Sequence, residues 1–348
     1  MSAVELPSPW SKVLELYELG AIRDARPGSG TAAAKLVFTT ERGRFIVRAR
    51  RSFASLPEVV AYDHSVIRTV AQAGIPTATP LPSKSGKTWV EVDGIAYEVF
   101  PYLEGLLPYD QFSREQLCAA ARTLARLHAA TARATPEGSK KWPREHEARA
   151  MAETLQSELL HTGQGASSAV RTRAHRMLAL LDELAATLQP AILAALPHAI
   201  IHGDYTPANV LFREGGVGAV FDFDWASWQP RVIDLGEGLI FFAGHRPSAI
   251  DPADIWSLVQ SWQPDVPAFA AFLSAYQEVQ RLTDAECELL PYFMLETWLG
   301  VRVRAMRKVE PHERLRILTE GALEPAEWLV EQRAAITELA RQTHAATG

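Results

Sequence analysis

The chain has 348 residues, 47% of them hydrophobic and 22% charged, so it can bury a sizeable core and is not a disordered polymer. Its formal net charge of −6 speaks against nucleic acid as the main partner, because phosphate backbones select basic surfaces. Two cysteines, Cys118 and Cys287, stand without metal-type spacing, which excludes a disulfide framework or a Cys-based zinc site and reads both as core thiols.

The start, MSAVELPSPWSK, lacks the basic-then-apolar order of a signal peptide. No apolar run approaches the ~18 residues of a membrane span. A cytoplasmic location without a membrane partner is therefore expected. Residues 8–20 read as an amphipathic helix, with Ser8 as cap and Gly20 as stop. Two β-rich runs, 34–40 and 44–50, predict a hairpin around Glu41-Arg42-Gly43. A helix over 57–73 ends at Gly74 and Pro76. Strands at 87–92 and 95–100 meet at an Asp93-Gly94 turn. The proline- and glycine-bearing stretch PYLEGLLPYD (101–110) reads as a linker. Helices then dominate. Ser113 with Gln116 fits a capping box ahead of a helix to about Arg133. Further helices are expected at 144–160, 168–189, 252–262, 267–281, 284–308 and 325–343, with Thr283 and Glu286 as a second box. The strand-like pieces of this half are AIIHG, NVLF and GAVFDF. Residues 1–100 thus form a small β-rich lobe, 101–110 the linker, and 111–348 a larger helical lobe: an α+β, bilobal chain.

Its unusual residues sit on the few strands of the helical half. In IHGDYTPANVLF, Asp204 and Asn209 flank a loop between two apolar runs, and FDFDW places Asp222 at the end of the next run. A strand-loop-strand hairpin brings all three to one edge. Two carboxylates and an amide oxygen are hard ligands suited to Mg²⁺ held together with phosphate oxygens. One carboxylate, left free of metal, can take a proton from a hydroxyl.

The pair of motifs, HGDYTPANVLF and VFDFDWA, followed by Arg231 and Asp234-Leu235, resembles the aminoglycoside phosphotransferase and choline kinase family of protein-kinase-like fold, closest to its bacterial homoserine-kinase-like members. The resemblance implies transfer of the ATP γ-phosphoryl group to a hydroxyl of a small-molecule acceptor. It makes Asp204 the catalytic base and Asn209 and Asp222 the Mg²⁺ ligands. Gly203 stands where regulated protein kinases carry an Arg that meets a phosphorylated activation loop, which favours a constitutively assembled small-molecule kinase. A Ser/Thr protein kinase and a silent pseudokinase acting as a binding module are the alternatives. By the same resemblance His202 holds the loop by hydrogen bonds, and Arg231 and Asp234 form a loop-anchoring pair. His128 reads as a core histidine.

On the nucleotide side, Ser29, Gly30 and Thr31 can offer backbone N–H groups to phosphate, although Ala32 and Ala33 replace the polar residue common in the family. Arg48 matches the strand lysine that holds the α/β-phosphates, and Asp63 its helix partner, with Glu58 as the competing choice. An Arg–Asp pair then replaces Lys–Glu, the longer cation joined to the shorter acid. Phe100 and Tyr102 resemble the hinge beside the adenine. For the acceptor, Asp224, Trp225, Trp228, Glu237, Glu296 and Trp298 are candidate wall residues. The basic run Arg302, Arg304, Arg307 and Lys308 suits a carboxylate-bearing acceptor such as homoserine, or forms a solvated face.

Overall fold

The computed structural model describes residues 6–28, 34–51, 54–141, 147–162, 165–249 and 254–345. It opens on a short helix, α1 (Trp10–Leu14), that starts at Pro9 without a side-chain cap, so the expected helix over 8–20 is cut short. One antiparallel sheet follows, built from β1 (Ile22–Pro27), β2 (Lys35–Thr40), β3 (Gly43–Ala49), β4 (Val90–Val92) and β5 (Ile95–Pro101) in the order β1-β2-β3-β5-β4. Asp93 and Gly94 both take positive φ between β4 and β5, as the tight hairpin there demands. The edge strand β1 carries no apolar alternation, and this is why it escapes a pattern-based reading.

Side-chain alternation splits the sheet. Val13, Tyr17, Phe38, Phe45, Val47 and Val99 form a small core under α1. The other face receives α2 (Pro57–Gln72), whose Tyr62, Val66, Ile67 and Val70 belong to the large core of the helical half. That helix therefore ties the sheet to everything after it.

The helical half comprises α3 (Arg114–Thr131), α4 (Ala148–Thr162), α5 (Ser168–Thr187), α6 (Pro190–Ala194), α7 (Val232–Phe242), α8 (Val266–Gln277), α9 (Asp284–Ala305), α10 (Arg314–Thr319), α11 (Leu323–Glu331) and α12 (Arg333–Ala345). Its strands are β6 (His198–Ile201), β7 (Val210–Arg213), β8 (Gly216–Val220), β9 (Ser227–Pro230), β10 (Gly244–His245) and β11 (Gln263–Pro264), which pair as β6-β9, β7-β8 and β10-β11. Ser113 caps α3 through Gln116 N–H, and Thr283 and Glu286 complete a reciprocal capping box on α9. A 3-10 turn over Ile255–Val259 stands where a helix was expected. Among the described residues no helix is long and apolar enough to cross a membrane.

The sequence reading has no helix at α7. Residues from Val232 to Phe242 are almost all buried, so the segment is apolar around its whole circumference and shows no helical contrast. Gly236 and Gly238 lower its intrinsic propensity further. Both are packing residues. A Cβ on Gly236 would sit 3.0 Å from the Phe293 carbonyl carbon and 3.1 Å from Met294 N. One on Gly238 would sit 2.7 Å from the Phe272 ring. The first obstacle is backbone and cannot rotate away. Gly236→Ala is expected to destabilise the protein by about 1–3 kcal/mol, the usual cost of overpacking. A urea midpoint equal to that of the parent protein would contradict this packing.

Candidate active site

The ends of β6 and β8 lie side by side. Phe221 N–H donates to the Asn209 carbonyl at 2.8 Å, so the loop after β6 and the turn after β8 share one edge. Asp222, in that turn, adopts φ 60° and ψ 67°. A non-glycine residue there stores on the order of 1 kcal/mol or more and persists only where its neighbours impose it. His202 Nε2 donates to the Phe221 carbonyl at 2.8 Å, and its Nδ1 accepts the Asp204 N–H at 3.3 Å. One ring nitrogen donates and the other accepts, which is the neutral imidazole. Gly203 takes φ +76°, and a Cβ would meet the Trp225 carbonyl oxygen at 2.6 Å. Conformation and space both require glycine.

The loop is fastened from below by α7. Asp234 accepts the N–H groups of His202 at 2.6 Å and Gly203 at 2.9 Å. Glu237, one turn later, accepts Tyr205 N–H at 2.6 Å. His128 Nε2 donates to Asp234 at 3.1 Å, while its Nδ1 meets the Tyr276 hydroxyl at 2.8 Å. His128 is thus a buried histidine that orients the carboxylate holding the loop. Arg231 does not touch Asp234. It bonds Glu286 at 2.8 and 3.0 Å and the Arg281 carbonyl at 2.6 Å, fixing the start of α9. The expected Arg231–Asp234 pair is therefore two separate anchors.

Asp204, Asn209 and Asp222 converge. The Asn209 amide donates to the Asp204 carbonyl at 2.9 Å and to Asp204 Oδ2 at 2.7 Å. Both partners are acceptors, so the nitrogen of Asn209 faces Asp204 and its oxygen turns away. Burial, followed by the nearby Asp222 charge, pushes the Asp204 carboxyl up. A carboxyl raised in this way is suited to accepting a proton. The donor set fits Mg²⁺, since the Asn209 oxygen and the Asp222 carboxylate are hard ligands. Among the described residues no cluster of three or more His, Cys, Asp or Glu side chains is arranged to hold a metal alone. Phosphate oxygens and water would have to complete the shell, as they do around nucleotide-bound Mg²⁺.

Above this edge stands a buried ion cluster. Strand alternation points Arg48 and Arg50 to the same face of β3, across from Glu98 on β5. Arg48 bonds Glu98 at 2.6 Å and Asp224 at 2.6 Å, and reaches Asp222 at 3.4 Å. Arg50 bonds Glu98 at 2.5 Å and also Asp63. Lys140 reaches Asp63 at 2.6 Å, and His64 reaches Glu98 at 2.8 Å. The expected Arg48–Asp63 pair is corrected here. Asp63 pairs with Arg50, two residues along the strand, and with Lys140, while Glu58 is exposed and lends only its carbonyl, to Ser139 N–H. Arg48 instead reaches past Glu98 to Asp222 and Asp224. Burial pushes the Glu98 carboxyl up, yet the two guanidiniums outweigh it and hold Glu98 well below the usual carboxylate range. The same guanidiniums overcome burial at Asp224 and hold it down.

Ser29, Gly30 and Thr31 lie outside the described residues. The Phe100 ring lies 5.6 Å from the Arg48 guanidinium, and Arg44 stacks on Tyr102 at 3.9 Å. Trp225 packs beside Gly203. Two carboxylates suggested for the acceptor wall each accept a backbone N–H. Glu237 is buried and accepts Tyr205 N–H of the loop after β6, and Glu296 accepts the Ala148 N–H at the start of α4. Trp298 is buried with its indole N–H on the Ala322 carbonyl, and Trp228 is exposed against His198. Glu98, Arg50, His64 and Lys140 were missed. For Glu98 a signal existed, as the one charged residue in the apolar strand IAYEVF. Lys140 lies in an aperiodic loop and had none.

With this geometry in place, the chain was compared with known proteins. Residues 25–278 match the model of the family described as phosphotransferase enzyme family. A homoserine kinase of Caulobacter vibrioides is 27% identical over 336 residues, covering 88% of this chain and 94% of the relative. Among solved structures, an amicoumacin kinase complexed with AMP-PNP, Ca²⁺ and Ami superposes with TM-score 0.65 at 15% identity, covering 94% of this chain and 92% of the other. A microcompartment-associated aminopropanol kinase also gives 0.65, at 17% identity and 93% and 96% coverage. These likenesses establish the bilobal protein-kinase-like fold.

Burial, with the Glu147 charge, pushes the Glu296 carboxyl up to about 8. The unfolded chain releases that proton near pH ~4.3. The native state therefore binds more protons across this window, and stability falls as pH rises through it. Glu296→Gln is expected to flatten that fall. Parallel melting-temperature profiles for variant and parent from about pH 5 to 8 would refute this account of Glu296.

Proposed function

Since the chain belongs to the phosphotransferase enzyme family, we propose that it moves the γ-phosphoryl group of ATP, in the presence of Mg²⁺, to a hydroxyl of a small molecule of homoserine or amino-alcohol type. The observation that carries this reading is the Asp204 carboxylate held by Asn209 beside Asp222. Residues 1–100 are the lobe that covers the nucleotide, 101–110 the linker, and 111–348 the lobe that supplies the base and the acceptor site. The reaction belongs in the cytoplasm, where ATP is available.

Each side chain has a role that follows from its position. Asp204 accepts the proton of the attacking hydroxyl and orients that oxygen for in-line displacement. Asn209 keeps Asp204 in one rotamer through its amide hydrogens and offers its oxygen to the metal, as does Asp222. Bound there, Mg²⁺ would neutralise charge on the phosphate oxygens. Arg48 exchanges its long contact with Asp222 for phosphate oxygens and keeps its short bonds to Glu98 and Asp224. Asp224 thereby positions a cation, a use that competes with facing the acceptor. Phe100 and Tyr102 border the adenine, and Trp225 lies toward the acceptor. The support is mutual position: base, hard-oxygen ligands and phosphate-facing cation meet in one cleft, and catalysis needs little beyond such positioning and electrostatics. The Caulobacter vibrioides homoserine kinase makes homoserine the first acceptor to try.

Asp204→Ala is expected to lower kcat by about 10²–10⁴, the usual share of general-base catalysis, while ATP affinity by calorimetry is kept. Turnover at the parent rate would remove Asp204 from the role of base. Arg48→Ala should raise the KM for ATP by at least about tenfold, since a charge-assisted bond is worth roughly 1.5–3 kcal/mol. A parent-like ATP KM with parent-like kcat would show that Arg48 does not hold phosphate.

A further inference from the structure

Among the described residues Arg304 has no ion-pair or hydrogen-bond partner. Arg304 lies on α9, and Glu296, Gly300 and Arg304 follow at four-residue spacing, so they share one helix face. The guanidinium lies close against Gly300. A Cβ there would stand 3.3 Å from Arg304 Nη1 and 3.1 Å from Met151 Sδ of α4. Arg304 therefore folds back along the helix toward Gly300, as long helical side chains do.

Three carboxylates lie within electrostatic reach of it: Asp204 on the catalytic loop, Glu237 on α7 and Glu296 on its own helix. Each already has a partner of its own. Asp204 takes the Asn209 amide, Glu237 the Tyr205 N–H, and Glu296 the Ala148 N–H. None comes within ion-pairing distance of Arg304, and among the described residues the guanidinium has no hydrogen-bond partner. Its neighbours in the basic run behave otherwise. Arg302 is fully buried, stacked 3.9 Å from the Trp298 ring and bonded to backbone carbonyls. Arg307 and Lys308 are exposed beyond the helix.

A half-buried guanidinium offers planar, paired N–H donors that match a carboxylate. Holding one here in a field of carboxylates, without contact to any, leaves its donors for a group that arrives with the acceptor. We infer that Arg304 recognises a carboxylate of the acceptor, so that the preferred substrate is a hydroxy amino acid, its hydroxyl at Asp204 and its acid group at Arg304. This rests on the phosphotransferase reading of the Asp204 site and adds the charge of the substrate. No bond forms or breaks at Arg304; it orients.

The test uses matched acceptor pairs that differ only by the carboxylate: L-homoserine and 3-aminopropan-1-ol, L-threonine and 1-aminopropan-2-ol, L-serine and ethanolamine. ADP release from the full-length protein is measured with ATP and Mg²⁺, alongside slow ATP hydrolysis without acceptor. The expected result is that the acid member of at least one pair is preferred in kcat/KM. Arg304→Gln should reduce that acid-to-amine preference by at least about 30-fold, mainly through the acceptor KM, and Arg304→Lys should recover part of it. Preference for the amine members, or an equal loss on both members in Arg304→Gln, overturns the inference. So does a loss expressed in the ATP KM, which would place Arg304 on the nucleotide. If ATP is hydrolysed but no acid accelerates ADP release, the substrate class is wrong while the phosphotransferase reading stands. If no ADP forms under any condition, that reading fails as well. A melting curve for Arg304→Gln that matches the parent separates lost recognition from lost fold.

Discussion

Glu98 has no exposed surface, yet the guanidiniums beside it hold its carboxyl well below the usual carboxylate range. An unpaired carboxylate in that position would cost several kcal/mol, so its partners are obligatory. Arg48 and Arg50 supply them from the neighbouring strand, and His64 from α2. Arg50 passes the interaction to Asp63, and Asp63 passes it to Lys140, which follows α3 in the helical half. A chain of charges thus runs from the sheet, through its inserted helix, into the other lobe. The direction in which Arg48 reaches Asp222 and Asp224 is set by this arrangement, because one side of its guanidinium is spent on Glu98. Formally, three cations (Arg48, Arg50 and Lys140) face four carboxylates (Glu98, Asp63, Asp222 and Asp224). The imbalance leaves the site receptive to a further positive charge, a condition that a divalent cation would meet.

The second fixed point is α7. A catalytic loop needs its backbone N–H groups satisfied if it is to be rigid. Asp234 and Glu237 take three of them in succession, and His128 with Tyr276 holds Asp234 in turn. These residues act on the loop through its backbone. They convert the close packing of α7 against α9, made possible by Gly236, into a stationary Asp204. The link from core packing to phosphoryl transfer is therefore short: a glycine, a helix, two carboxylates and a loop.

The main features of the site were readable because they are local. Asp204, Asn209 and Asp222 lie on short segments whose spacing alone predicts their meeting. The caps at Ser113 and Thr283 are equally local. What escaped depends on partners distant in sequence. Arg48 and Arg50 are indistinguishable in RFIVRAR until the register of β3 with β5 and the roll of α2 are known, so the choice of Asp63's partner was made one alternation off. The backbone N–H groups that Glu237 and Glu296 accept are not visible in the sequence, because Tyr205 and Ala148 are far from them along the chain. The helix α7 was lost because complete burial erases the periodicity by which helices are found.

Gly203 carries a consequence of another kind. The arginine that regulated protein kinases place before their catalytic aspartate cannot be grafted here, since the backbone there is left-handed and the Trp225 carbonyl occupies the space. A designer wanting an on–off control in this enzyme would find no foothold at that residue. Any charge brought to this loop would have to come from another segment, because the backbone at Gly203 leaves no room for a side chain.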